Sequence, residues 1–235
     1  MEFDTASAVE RLDQMVIPIE TEVRLAIRTE RAVECANRVV TEEIPDGVVL
    51  PGGDSYSFVR FCMETALSIS VAKLFEQPQP RKKGGRMQSL SERYFCSDIA
   101  SLPICAWLLS FDGVREELVV RSPSWLSEAC ARDIDEALTA YARCQQGGDR
   151  EVDLKLIKDY RDTHLTHLYW EDRPEAVPTY NDLFQLVDVA RDFIVHVRRA
   201  VTHRENALDL YEERHDREFA AFWRPALLAS SGIKN

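Results

Sequence analysis

Apolar side chains in this chain recur at three- and four-residue spacing, and alternation with a period of two is nearly absent. That pattern admits helices and leaves almost nothing from which to build a sheet. Ala8, Leu12 and Met15 open the series, and Pro18 is expected to interrupt or restart the helix. Val23, Ile27, Ala32, Ala36, Val39 and Val40 continue it to about Ile44, where the breaker-rich "PDGVVLPGGD" ends the segment. A second long helix follows, with Ser55 or Ser57 as its cap. It runs through Phe58, Phe61, Cys62, Leu67, Ile69, Val71 and Leu74, and its several apolar faces place it at a bundle centre.

Beyond a Pro- and Gly-rich loop, residues 89–112 read as one or two short helices broken near Pro103. "VREELVVRS" is a helical turn or a brief strand. Ser122 or Ser124 begins the next helix, which Gly147 and Gly148 end. A further helix is expected over 149–170. Thr179 then caps one long terminal helix through Leu183, Leu186, Val187, Ala190, Ile194 and Val197, with a loose tail from about Ser230. The fold class is therefore all-α, an antiparallel helical bundle. At 235 residues the chain fits a single domain.

Composition narrows the function classes. The formal charge of −11 makes the surface as a whole repel polyanions, so any nucleic-acid contact must be local. Six cysteines, Cys35, Cys62, Cys96, Cys105, Cys130 and Cys144, stand singly in apolar surroundings and read as buried reduced thiols. Acids near the N-terminus and the absence of a membrane-length apolar run point to a cytoplasmic protein with no membrane partner.

Against this acidic background, "KDYRDTHLTHLYW" over 158–170 concentrates Lys158, Arg161, His164 and His167. Three-residue steps on an α-helix set these four along one polar diagonal, while Leu154, Ile157, Leu165 and Leu168 occupy the opposite side. An arginine can hold a phosphate bidentately and offset transition-state charge. A nearby imidazole can move the ribose 2′-hydroxyl proton or protonate the leaving oxygen, typically a factor of about 100 to 10,000. The same residues also suit a solvated helix face. Arg81, Lys82, Lys83 and Arg86 in the basic loop are either solvated charges or a phosphate-contacting arm. Tyr160, Tyr169 and Trp170 could stack on bases or pack in a core or dimer interface. His196 and His203 share a face and read as structural. A di-metal bundle needs two ExxH motifs and further inward glutamates, and only Glu212 with His215 supplies one, so no metal or cofactor is expected.

"LKLIKDYRDTHLTH", followed after a Pro-containing turn by "PTYNDLFQLVDVARDFIVHVRR", resembles the HEPN superfamily in its abortive-infection AbiU-type branch. The hallmark is an arginine, a polar residue and then a histidine a few positions on; Arg161, Asp162 and His167 match it. "ALSISVAKLFEQP" also looks like that branch, and the resemblance covers about residues 58–199, leaving additional N- and C-terminal helices. Thr166 stands where an alanine is common, and His164 is an extra imidazole, so the acid/base lies open between His164 and His167. The resemblance implies a HEPN-like homodimer whose paired motifs face a cleft. Catalytic members cut RNA there without metal, leaving a 2′,3′-cyclic phosphate, in phage defence or as toxins with a cognate antitoxin or nucleotidyltransferase. Arg161 would hold the phosphate, His167 would act as acid or base, Asp162 and His164 would support them, and Lys158 and the basic loop would bind RNA. The alternative is a non-catalytic domain that binds a nucleotide, RNA or a protein partner.

Overall fold

A computed structural model describes residues 4–45, 47–48, 53–79, 82–83, 86–87, 89–95, 97–165, 176–205 and 207–231. Among them the regular structure is helical apart from two two-residue strands, β1 (Lys82–Lys83) and β2 (Arg86–Met87), paired antiparallel with Lys82 opposite Met87. The helices are α1 (Thr5–Arg38), α2 (Gly53–Leu74), α3 (Leu90–Phe95), α4 (Leu102–Leu109), α5 (Asp112–Arg121), α6 (Ser127–Ala142), α7 (Glu151–Tyr160), α8 (Tyr180–Thr202) and α9 (Leu208–Ser231). Wider π turns extend α1 over Val39–Glu43 and α7 over Arg161–Leu165.

α8 occupies the centre. Leu183, Leu186, Val187, Ala190, Phe193, Ile194 and Val197 are buried along it, and it packs on α1, α2, α5, α6 and α7. Its start follows from local chemistry. Thr179 accepts from the Asp182 N–H at 3.3 Å, and Asp182 accepts from the Thr179 N–H at 2.6 Å, closing a capping box. α1 supplies the second wall through Ala8, Leu12, Val16, Ile19, Val23 and Ile27. Further along, Cys35, Ala36 and Val39 meet Trp223, Leu227 and Leu228 of α9 in a separate apolar cluster.

Several expectations are corrected. Pro18 lies inside an unbroken α1 and does not restart it; the buried stripe continues through Ile19 on its far side, and this packing offsets the lost backbone bond. Ser55 and Ser57 lie inside α2, which begins at Gly53. Only the second half of α2 reaches the core, from Leu67 to Leu74. Phe58 and Phe61 are 67% and 55% exposed, so α2 is not the bundle centre. Apolar residues on several faces do not say which face finds a partner.

"VREELVVRS" is helical within α5. α6 starts at Ser127 after Leu126, with no side-chain cap, so neither Ser122 nor Ser124 begins it; the Ser122 hydroxyl instead donates back to the Val119 carbonyl at 2.8 Å. The single terminal helix is two helices, because His203 takes the left-handed conformation at φ 55° and turns the chain. α9 ends at Ser231, and the tail expected from about Ser230 lies, beyond that residue, outside the described residues. Cys35, Cys105, Cys130 and Cys144 are buried free thiols, whereas Cys62 is exposed on α2; Cys96 lies outside the described residues. Among the described residues no helix is long and apolar enough to cross a membrane.

Candidate functional site

The amphipathic pattern of α7 buries Leu154 and Ile157 and turns Lys158 and Arg161 towards the C-terminal end of α2. At Arg161 the helix widens into its π turn. Rotation per residue falls there, so the regular α-helical spacing assumed for the diagonal of Lys158, Arg161, His164 and His167 does not hold over Arg161–Leu165. Local π geometry of this kind recurs at functional sites. The His164 side chain and all of His167 lie outside the described residues, as do Arg81, Tyr169 and Trp170 and the side chains of Lys82, Lys83 and Arg86.

The Arg161 guanidinium is shared between two carboxylates. Nε donates to Asp162 Oδ1 at 2.7 Å, and Nη1 donates to Glu76 Oε2. These bonds, the one to Asp162 foremost, hold its pKa above the ordinary arginine value. Burial pushes Lys158 below the usual lysine range, partly offset by the Glu76 carboxylate. Glu76 is thus the common neighbour of both cations.

Sequence reasoning did not single out Glu76, although one local signal was present. It follows the last turn of α2, where unpaired carbonyls already carry partial negative charge and an acid is unfavourable without a partner. Its own carbonyl accepts from Ser101 Oγ at 2.8 Å, which ties this corner to the start of α4.

Two clefts flank α7. One, of about 320 Å³, lies between α2, Tyr160 and the start of α8, with Phe61, Glu64, Thr179 and Tyr180 on its walls. Burial raises the Glu64 carboxyl there, with Arg60 at 3.1 Å lowering it in part. The other, of about 280 Å³, is lined by Lys158, Lys155, Cys144 and Tyr141. Tyr160 and Lys158 therefore open on different clefts, as two positions about 200° apart on a helix must.

The ExxH pair is otherwise engaged. Glu212 binds Arg191 at 2.7 Å and Arg31 at 3.3 Å, and His215 is buried with its ring 4.3 Å from that of Tyr211. Among the described residues no group of three or more potential metal ligands converges. Chemically, the described part of the site offers one arginine held by two carboxylates, with Lys158 nearby, at the end of a helix that buries one face.

Helical architecture and this arginine–carboxylate seam define an all-α protein with a charged site at the π turn that extends α7. No family model, no curated protein and no solved structure matches the chain.

Proposed function

We propose that the chain is a HEPN-like, metal-independent endoribonuclease of a phage-defence or toxin-antitoxin type, acting on RNA in the cytoplasm as a homodimer. The observation that carries this reading is the Arg161 guanidinium held between Glu76 and Asp162, with Lys158 one helical turn before it, directly ahead of the stretch that bears His164 and His167. The Arg161–Asp162 to His167 pattern supplies the chemistry. One imidazole, from His164 or His167, takes the 2′-hydroxyl proton, and the 2′-oxygen attacks phosphorus. The 5′-oxygen leaves with a proton from a second imidazole, giving a 2′,3′-cyclic phosphate and a 5′-hydroxyl. Arg161 offsets the charge that builds on the phosphoryl oxygens. A second copy of the chain supplies the facing motif, and an antitoxin or nucleotidyltransferase would restrain it.

A second reading, a non-catalytic domain that binds RNA, a nucleotide or a protein partner, is favoured by the two carboxylates on Arg161. A phosphate must displace at least one of them to be held bidentately. One experiment separates the two. Purified protein is incubated with total RNA in EDTA beside Arg161→Ala and His167→Ala, and product ends are mapped. Cleavage by wild type alone, with cyclic phosphate ends, supports the nuclease; RNA binding without cleavage supports the second reading.

A further inference from the structure

Roughly 30 Å along α8 from its capped start, its C-terminal end and the turn after it form a second cleft with α6, of about 540 Å³. That volume lies within the usual range of small-molecule sites, about 300 to 1,000 Å³. His196 lines it, and its Nδ1 lies 2.7 Å from Asp133 Oδ1 of α6. This contact fixes the ring and its tautomer, as carboxylate–imidazole pairs do. No hydrogen bond reaches Nε2 among the described residues.

The charges around the pair are unevenly spent. Arg199 and Glu205 bind each other at 2.8 and 3.0 Å, and Asp133 is committed to His196. Arg132 and Arg204, both exposed, then outnumber Glu136, and among the described residues neither arginine has an ion pair. Trp125 is 80% exposed, an indole face left to solvent on the wall of the cleft that Arg132 and Arg204 also line. His203, the one non-glycine residue at positive φ among those described, also lines it. Cys130 also lies here, but burial raises its thiol pKa, so the site lacks an activated nucleophile.

We propose that this cleft binds a small ligand built from one aromatic ring and one oxyanion, a carboxylate or a phosphate. Trp125 stacks on the ring, Arg132 and Arg204 hold the oxyanion, and His196, steadied by Asp133, hydrogen-bonds through Nε2. The site is separate from Arg161 and stands whether or not that residue takes part in RNA cleavage.

Calorimetric and saturation-transfer NMR titrations with phenyl phosphate, benzoate, inorganic phosphate and benzyl alcohol test it. Phenyl phosphate or benzoate should bind at least tenfold more tightly than inorganic phosphate or benzyl alcohol, and the stronger of the two identifies the oxyanion. Trp125→Ala and the double variant Arg132→Ala/Arg204→Ala alter exposed positions and should each weaken binding at least fivefold, with the helical circular dichroism unchanged. Arg161→Ala should leave binding as it was. Absence of millimolar binding by both aromatic acids, equal binding of inorganic phosphate and phenyl phosphate, or indifference to the Trp125 and arginine substitutions overturns the proposal.

Discussion

The Arg161 guanidinium donates to Glu76 across 85 positions of sequence, joining the π turn after α7 to the C-terminal end of α2. The Glu76 carboxylate also favours the charged form of Lys158, so it tempers how much positive charge the seam presents to an anion. Replacing it with alanine leaves Asp162 as the other carboxylate on Arg161. In fluorescence-anisotropy titrations of a single-stranded RNA in EDTA, Glu76→Ala should tighten binding about three- to tenfold at low salt, the gain shrinking as salt rises. Arg161→Ala should weaken it. Unchanged affinity in both variants would remove Arg161 from the RNA-binding surface.

Glu20 makes a different kind of link, inside the protein. It is buried on α1, accepts from Arg24 at 2.7 and 2.9 Å and from Arg198 of α8. Removing the acid strands two partly buried guanidinium groups against the core. Glu20→Ala should therefore cost about 3 to 5 kcal/mol in urea unfolding, whereas Glu20→Met with Arg198→Met should recover much of the loss, because only Arg24, whose side chain is 32% exposed, then lacks its carboxylate. A loss below about 1 kcal/mol for the single change would show that these arginines reach water instead.

Glu30 gives the fold a pH dependence. Burial pushes its carboxyl from the ordinary 4.5 up to about 8, with Arg31 acting against the shift and Asp188, Glu34 and Glu212 adding to it. Folding therefore favours the protonated acid. The stabilisation is complete below about pH 4.5 and is lost as pH rises through about 8. Asp188 and Glu212, also raised by burial, act in the same direction. Unfolding free energy should fall by about 3 to 5 kcal/mol between pH 5 and pH 9, and Glu30→Gln should remove most of that slope. A wild-type slope that survives the substitution would assign the effect to Asp188 and Glu212.

Helix content was legible because it is written at short range. The stripes of α1, α6, α7 and α8 and the Thr179 cap follow from spacing and from residues a few positions apart. What could not be read depends on partners distant in sequence. Pro18 is carried within α1 by burial on both sides, and the exposed half of α2 could be told from its buried half only by knowing where α1 and α8 lie. The break at His203 depends on a left-handed residue that carries no glycine signal. Arg161 was legible as a candidate from its neighbours in the chain, but Glu76 was not. An acid after α2 becomes informative only once α7 is seen beside it.

The capping box at Thr179 holds the start of the central helix and the wall of the cleft that Tyr160 enters. Thr179→Ala removes the acceptor for the Asp182 N–H while the reciprocal Asp182 contact to the backbone remains available. The expected cost is about 1 kcal/mol by chemical denaturation, typical for the loss of a threonine N-cap. It should be local in hydrogen exchange. Amides over 180–183 should exchange faster, whereas those around Phe193 and Val197, buried against α1 and α6, should keep their protection. Faster exchange along the whole of α8 would mean that the box steadies the packing of the entire helix and not its first turn alone.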